Sequence, residues 1–481
     1  MTPLGFLCLI LAIPAILIQP GIGLFVLLIF TSIFQAGAII NIPIGASYIG
    51  IMPYYAVALL LCIRMTFVLI SQKYAFSDPS GFISPLLAFV IWSVISAFFL
   101  PHLFSGTLVY DPRGGIDSQV DTQTPLAYSF SNIGQAGYLI INFLILVYVN
   151  WKAWDWDSLQ KCIKALHVAS FVVVLVGLYQ VVAFWKELPF PDWFFNSNLG
   201  ARQLAVYTLE GVGRINSTFS EASILASYLA SYIAFLVVLA LGKQLGLLGF
   251  FMLVLSTICI LLSTSSTGYV VLLILAIMVL FQFLLVPLVT RASLTKLSMV
   301  QSTLILILVM ASVITIGIAY NAGYGEALYK ATIGKADTGS YANRGSSNWF
   351  TLNILLETWG FGVGLGSNRP SSFLAWLASN VGILGLILFI MAYAKLLLVN
   401  KNIKQLLSDR RERITLLALQ WGLATHLIAK LISLPDLALP NLWIWTILVL
   451  ICLKATSSRG IVSEAVLQYR QKRLQPYLLK H

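Results

Sequence analysis

The sequence predicts an all-α fold, a polytopic transmembrane helical bundle of about 12–13 spans with long extracytoplasmic loops. Composition is the first reason, since 59% of the residues are hydrophobic, only 10% are charged and the mean hydropathy is +0.91, far from the values of soluble domains. Recurring apolar stretches of 15–25 residues are the second, because a helix of that length crosses about 30 Å of hydrocarbon. Closed barrels also satisfy their backbone in lipid, but their strands are shorter and alternate in polarity.

Thirteen stretches are predicted to span the membrane within a single domain, residues 1–481, and the first, eighth and last are shorter than ideal. The first stretch lacks the charged start and small-residue cleavage site of a signal peptide, so we expect a retained helix. The predicted spans lie near 4–18, 21–40, 51–71, 82–101, 131–150, 165–186, 221–241, 247–263, 268–287, 301–321, 373–395, 414–433 and 437–454.

Basic residues predict the orientation of the bundle. Lysines and arginines crowd several short connections and the tail 455–481, and such residues favour the cytoplasmic side. The long connections 187–220 and 322–372 are then extracytoplasmic. The net charge of +12 reflects this topology, so no nucleic-acid partner is expected and the tail is predicted to contact anionic lipid. Arg64, in the inner part of its span, is expected to snorkel to the cytoplasmic interface.

The connection 187–220 ends in the sequence VGRINSTFSEASILASYLA, which leads into an apolar helix. Thr218 and Glu221 fit a capping box, which explains their polarity without a function. Arg214 is different, because no capping rule places a cation there and the helix dipole repels it mildly. An anion held between the guanidinium and the helix N-terminus explains Arg214, and an ion pair with Glu210 or Glu221 is the alternative.

The connection 322–372 ends in GFGVGLGSNRPSS, a glycine-rich segment directly before another apolar helix. Ser367 or Asn368 is predicted to cap that helix, Pro370 suits its first turn, and Arg369 stands beside its N-terminus. The spacing fits neither GxGxxG nor a Walker motif, and close packing is the alternative use of the glycines. The glycines predicted to shape the loop by positive φ and close approach are Gly360, Gly362, Gly364 and Gly366.

Both motifs are predicted to face one outer cavity. The cavity would contain two helix N-termini and the side chains of Arg214, Arg369 and Arg344, the last within the sequence YANRGSSNWF. Three cations suit a multiply charged anion, and diphosphate is the natural lipid-borne candidate. The arginines are therefore predicted to bind a substrate diphosphate.

These residues resemble the O-antigen ligase and polymerase superfamily. The first similar feature is an Arg-x-x-x-T-F-S-E segment at the start of a membrane helix. The second is an outer loop that contains an arginine and ends in G-x-G-x-G-S-x-R and FLAWLASNVGILGL. The resemblance covers about 200–395. It implies a glycosyltransferase of the bacterial inner membrane with its long loops in the periplasm and its C-terminus in the cytoplasm. The implied donor is an undecaprenyl-diphosphate-linked saccharide, the acceptor is a glycan or lipid, and the implied transfer inverts without a metal.

The identity of the general base stays open at the sequence level. Ligases of this group carry a histidine after the glycine-rich motif, where this chain has Pro370, Ser371 and Ser372, and this departure favours a polymerase. The candidate catalytic residues are two carboxylates and one membrane histidine, namely Glu221, Glu357 and His426. His426 lies one helical turn from Lys430, and a structural role within the bundle is its alternative.

No metal site and no cofactor are predicted. The acidic loop holding Asp111, Asp117 and Asp121 does not match an EF-hand, and no cysteine or histidine spacing fits zinc. Two other functions remain open: a membrane transporter for small anions, inorganic carbon or lipid-linked sugar, and a scaffold of an exopolysaccharide export complex. Polysaccharide assembly and export proteins are expected partners of a glycosyltransferase and of a scaffold.

Overall fold

The protein is a helical membrane protein in the computed structural model. The structure describes residues 1–17, 21–44, 47–71, 76–111, 123–200, 208–209, 212–280, 339–398, 409–433 and 436–456. Within this part of the chain, seven helices are long and apolar enough to cross a membrane, and four shorter helices are apolar. The composition-based prediction of a helical membrane protein is therefore confirmed, whereas the predicted span at 301–321 lies outside the described residues.

The helices are numbered in chain order. They are α1 (Pro3–Leu17), α2 (Gly23–Thr31), α3 (Pro53–Ser71), α4 (Ile83–Leu103), α5 (Phe130–Trp151), α6 (Trp156–Trp185), α7 (Asp192–Phe195), α8 (Ala222–Leu241), α9 (Leu247–Leu262), α10 (Ser266–Leu280), α11 (Gly339–Glu357), α12 (Phe373–Leu397), α13 (Arg410–Ile432) and α14 (Pro440–Thr456). Among the described residues, the connections include three short antiparallel hairpins: β1 (Ile40–Ile44) with β2 (Ser47–Ile51), β3 (Leu108–Tyr110) with β4 (Gln123–Pro125), and β5 (Thr208–Leu209) with β6 (Val212–Gly213).

Helix α8 lies at the centre of the bundle. Within its apolar window 89% of the residues are buried, and it packs against α9, α10 and α13. Alanines and serines along α8 have small side chains, which let neighbouring membrane helices approach closely. A second group of helices, α4, α5 and α12, packs together beside it, and α11 lies against α12.

The predicted span 21–40 is wrong over its second half. Helix α2 ends at Thr31, and strand β1 begins at Ile40. The side chains of Thr31 and Ser32 donate to carbonyls of the last turn of α2, at 2.9 Å to Leu27 and 2.7 Å to Ile29. Residues 33–38 form an irregular connection that contains Gly37, and only Ile39 and Ile40 of the predicted span pair with Ile51 at the end of β2. The hydrophobic run that looked like one helix is therefore divided among a helix, a connection and the start of a hairpin.

Helix α12 is broken, whereas the sequence predicted one continuous span at 373–395. Gly382 has φ 68° and ψ −172°, which no helical residue adopts, so the chain forms two helical pieces that meet at this glycine. Backbone groups at such a break lose their helical partners and have to be satisfied inside the protein. The glycine-rich segment supplies those partners.

Candidate functional site

The glycine-rich segment 360–372 follows a path that only glycine takes without strain. Its alternating glycines have φ values of 80°, 81°, 100° and 86°, all in the left-handed region. The residues between the last three of these glycines, Val363 and Leu365, are fully buried. The alternation of glycine with apolar residues therefore gives a backbone that turns tightly while its side chains enter the core.

Three of the glycines also let other backbones come close. A Cβ on Gly362 would lie 2.6 Å from the Ser379 carbonyl oxygen, and one on Gly364 would lie 2.6 Å from the Ser96 carbonyl oxygen. A Cβ on Gly366 would lie 2.8 Å from the Ser131 carbonyl oxygen. The segment is thus wedged among α12, α4 and α5, with no room for a side chain at these positions.

Hydrogen bonds from the segment satisfy the break in α12. The N–H groups of Val363 and Gly364 donate to the carbonyls of Ser379 and Asn380 at 2.8 and 2.9 Å. In return, the N–H of Ile383, directly after the break, donates to the Gly360 carbonyl at 2.9 Å. The glycine-rich segment and the broken helix therefore form one hydrogen-bonded unit at the level of the membrane helices.

Asn380 fixes the end of the segment. Its Oδ1 accepts from the N–H groups of Ser367 and Asn368 at 2.9 and 3.1 Å, and its Nδ2 donates to the carbonyls of Asn368 and Trp376. The prediction that Ser367 or Asn368 caps the next helix is therefore wrong. The N-cap of α12 is Ser372, whose hydroxyl accepts from the Ala375 N–H at 3.4 Å.

A cleft opens where the segment meets the starts of α5 and α12 and the turn before α14. It is small and open to solvent. Polar side chains dominate its wall, which is formed by Ser131, Gln135, Gly366, Asn368, Arg369, Trp376 and Asp436. We call this the outer cleft.

Arg369 and Asp436 bring opposite charges to the outer cleft. Arg369 is exposed, and its backbone N–H donates to the Tyr110 carbonyl at 3.4 Å, which ties the arginine to β3. Asp436 is half-buried, and its Oδ1 accepts from the Ala438 N–H at 2.6 Å. The outer cleft thus combines a cation suited to phosphate with a carboxylate able to accept a proton.

The sequence analysis missed Asp436. The residue lies in SLPDLALP, where an aspartate between two prolines follows a membrane helix, and this pattern alone would have marked it as a turn residue. Lys430, fully buried in α13, donates through Nζ to the Asp436 carbonyl and lies 4.6 Å from the centroid of the Phe373 ring. The buried lysine therefore holds the turn that presents Asp436 to the outer cleft.

Gln135 offers the outer cleft an unused acceptor. Its Oε1 is buried and has no hydrogen-bond partner within the described part of the chain. Buried acceptors normally find a donor, so this oxygen is suited to a hydroxyl or amide of a bound molecule.

Arg214 contacts the end of a neighbouring helix and does not line the outer cleft. Its Nε and Nη2 lie 3.5 and 3.3 Å from the carbonyl oxygens of Ser263 and Thr264, at the C-terminal end of α9. A cation suits that end of a helix dipole. The predicted capping box is wrong, because α8 begins at Ala222 with Glu221 as N-cap and the Thr218 hydroxyl donates to the Ile33 carbonyl.

The other predicted residues are spread over the protein. Arg344 lies in α11, in the part whose side chains are not described, so its contact with a diphosphate stays a prediction. Glu221 accepts from the Ser223 hydroxyl at 3.1 Å, and Glu357 is exposed at the end of α11. His426 is buried between α13 and α8, with Nδ1 3.4 Å from the Ser231 hydroxyl. Of the two predicted arginines whose side chains the structure describes, Arg369 lines the outer cleft and Arg214 does not.

Comparison with models of protein families and with curated proteins finds no match for this chain. The resemblance to the O-antigen ligase and polymerase superfamily is therefore still a prediction.

Proposed function

We propose that this protein is a membrane glycosyltransferase that transfers or polymerises saccharide units carried on a lipid diphosphate, outside the cytoplasm. The observation that carries the proposal is the outer cleft. Arg369 and Asp436 line it together with residues from the starts of two membrane helices.

Electrostatics favour a phosphate group in the outer cleft. Ser131 is the second residue of α5, and Trp376 is the fourth of α12, so the outer cleft is lined by the N-termini of two helices. Helix N-termini attract anions. Arg369 adds a guanidinium that binds phosphate oxygens in a bidentate manner. The outer cleft is small and open to solvent, so a diphosphate bound there has its lipid and sugar outside the cleft.

Asp436 is the candidate base for the acceptor. The carboxylate takes the proton of an acceptor hydroxyl as the oxygen attacks the anomeric carbon of the donor sugar. The bond from that carbon to the diphosphate oxygen breaks, and the lipid diphosphate leaves with its electron pair. Arg369 and the helix N-termini stabilise the charge that develops on the leaving group. Attack from the face opposite the leaving group inverts the anomeric configuration, as the resemblance implies.

The test uses a strain in which the gene is deleted and variants are supplied on a plasmid. Arg369→Ala and Asp436→Asn are each expected to abolish surface polysaccharide at normal membrane levels, since Arg369 is exposed and Asp436 keeps its shape as asparagine. Arg413→Ala and Asp192→Asn are the matched controls, because both residues are exposed and neither lines the outer cleft. Wild-type product from Arg369→Ala, or equal loss from the controls, would contradict the proposal.

The same strain separates a polymerase from a ligase. Loss of a polymerase leaves single repeat units on the acceptor, whereas loss of a ligase leaves long chains on the carrier lipid. The segment Pro370–Ser372 replaces the histidine of ligases, and Ser371 and Ser372 contact Asn348 of α11 at 3.2 Å instead. We therefore expect single repeat units.

A transporter is the second candidate, and the break in α12 favours it. Discontinuous membrane helices often form ion or substrate sites, and α12 is broken at Gly382 beside an irregular segment. However, the loop itself supplies the hydrogen bonds at the break, which leaves few free groups for an ion. Uptake of labelled phosphate or bicarbonate into proteoliposomes, abolished by Arg369→Ala, would support transport over transfer.

A further inference from the structure

Arg64 and Lys152 converge at the end of the bundle opposite the outer cleft. Arg64 lies in α3, and Lys152 is the C-cap of α5. The two side chains meet beside Gly21, just before α2: a Cβ built on Gly21 would lie 3.4 Å from Lys152 Cε and 3.8 Å from Arg64 Nη2. Two cations from different helices therefore share one small space, which the sequence did not predict.

The charges of this pair are poorly compensated within the described part of the chain. Arg64 Nε is buried without a hydrogen-bond partner, although a guanidinium normally uses its donors. Lys152 Nζ donates to its neighbouring Ala153 carbonyl at 3.3 Å and lies 4.1 Å from the centroid of the Trp154 ring. Burial lowers the pKa of Lys152, the Cys162 and Asp155 side chains oppose this shift, and the positive charge of Arg64 adds a smaller lowering. Lys152 is therefore held where its positive charge costs free energy.

The nearest helix end adds to the positive potential. Helix α2 begins at Gly23, directly after the meeting point, and its N-cap Ile22 provides no side-chain cap. No acidic residue lies in the first turn of α2, and the positive end of its dipole faces the same space. The carboxylate of Asp155 acts on Lys152 from a distance, but its own hydrogen bond is to the Ser158 N–H as the cap of α6.

We propose that Arg64, Lys152 and the start of α2 bind a phosphate group, from an anionic phospholipid or from free phosphate. The phosphate oxygens accept from the guanidinium and the ammonium and neutralise both. Trp154 lies beside the site, and tryptophan is common at the level of lipid headgroups. This site is independent of the outer cleft and of the proposed transferase activity.

The experiment measures ligand binding to the purified full-length protein in a neutral detergent. Native mass spectrometry counts bound phosphatidylglycerol, with phosphatidylcholine as the comparison lipid, and thermal unfolding with and without inorganic phosphate tests the free ion. Arg64→Gln and Lys152→Gln are each expected to weaken binding about tenfold or more, because each removes a charge-assisted hydrogen bond. Lys164→Gln is the control, since Lys164 is an exposed lysine of α6.

A second readout separates binding from folding. Without any phosphate compound, Arg64→Gln and Lys152→Gln are expected to raise the unfolding temperature, because they relieve repulsion between two cations. With phosphatidylglycerol or phosphate present, the order reverses and the wild type is the more stable protein. Binding of the lipid or of phosphate with this reversal supports the site and identifies its source. No binding of either, equal loss in Lys164→Gln, or destabilisation under both conditions would overturn it.

Discussion

Replacing Gly362 by alanine tests the close packing that shapes the outer cleft. Gly360 and Gly362 have nearly the same φ, 80° and 81°, so a Cβ strains both backbones equally. Their surroundings differ. The nearest atom to a Cβ on Gly360 is Ile383 Cδ1 at 3.1 Å, the mobile end of a side chain, whereas Gly362 faces the Ser379 carbonyl oxygen at 2.6 Å and the Gly382 nitrogen at 2.8 Å.

The expected costs follow from these distances. Left-handed backbone costs an L-residue about 1–2 kcal/mol, so Gly360→Ala is expected to lose roughly that much. Gly362→Ala adds overpacking against rigid backbone, typically about 1–3 kcal/mol more, for a total of about 2–5 kcal/mol. Gly106, with φ 92° and no atom within 4 Å of its Cβ position, is the control for backbone strain alone.

The assay is unfolding of the three purified variants in detergent, together with polysaccharide synthesis by each. Gly362→Ala is expected to be less stable than Gly106→Ala and Gly360→Ala. Of the three variants, only Gly362→Ala is expected to lose most of its activity, because its Cβ pushes the loop away from the break in α12. Equal stability of Gly360→Ala and Gly362→Ala would refute the packing of the segment against α12.

Three further changes test other parts of the structure. Asn380→Ala leaves two loop N–H groups unpaired, so a loss of about 2–5 kcal/mol is expected in denaturant unfolding. Lys430→Met should fold, because methionine fills the space without a buried charge, but its turnover should fall as the turn carrying Asp436 loosens, with the KM little changed. Asp155→Ala removes the cap of α6 and should cost about 1 kcal/mol. Hydrogen bonding from Ser158 lowers the pKa of Asp155. The stabilisation by this cap is therefore complete above the unfolded pKa of about 3.9 and is lost as the pH falls through the folded pKa. Unfolding of the wild type and of Asp155→Ala across that pH range measures this loss.

Composition and periodicity were sufficient for the class of protein and for most of its helices. The failures occurred where a distant contact competes with a local rule. Thr218 has the sequence of a cap, but its hydroxyl donates to the Ile33 carbonyl, so the helix starts later. Likewise, Ser367 and Asn368 are good capping residues, but Asn380 binds their N–H groups first.

The residues of the outer cleft show the same limit. Arg369 was predicted because it stands beside a helix start, which is a local signal. Asp436 lies in a different turn, and only the packing of α12 and α13 and the hydrogen bond from Lys430 bring it near Arg369. The break at Gly382 could not be read from an apolar run, because glycine also occurs at Gly385 within the same run without a break.

Release of lipid diphosphate by the reconstituted protein tests the central claim most directly. Purified protein in liposomes is supplied with a lipid-diphosphate-linked saccharide, and the freed lipid diphosphate and the extended glycan are measured together. We expect equal amounts of both products from the wild type, and neither product from Arg369→Ala or Asp436→Asn. Product formation at the wild-type rate by Arg369→Ala would contradict it, as would a folded wild-type protein that releases no diphosphate from any such donor.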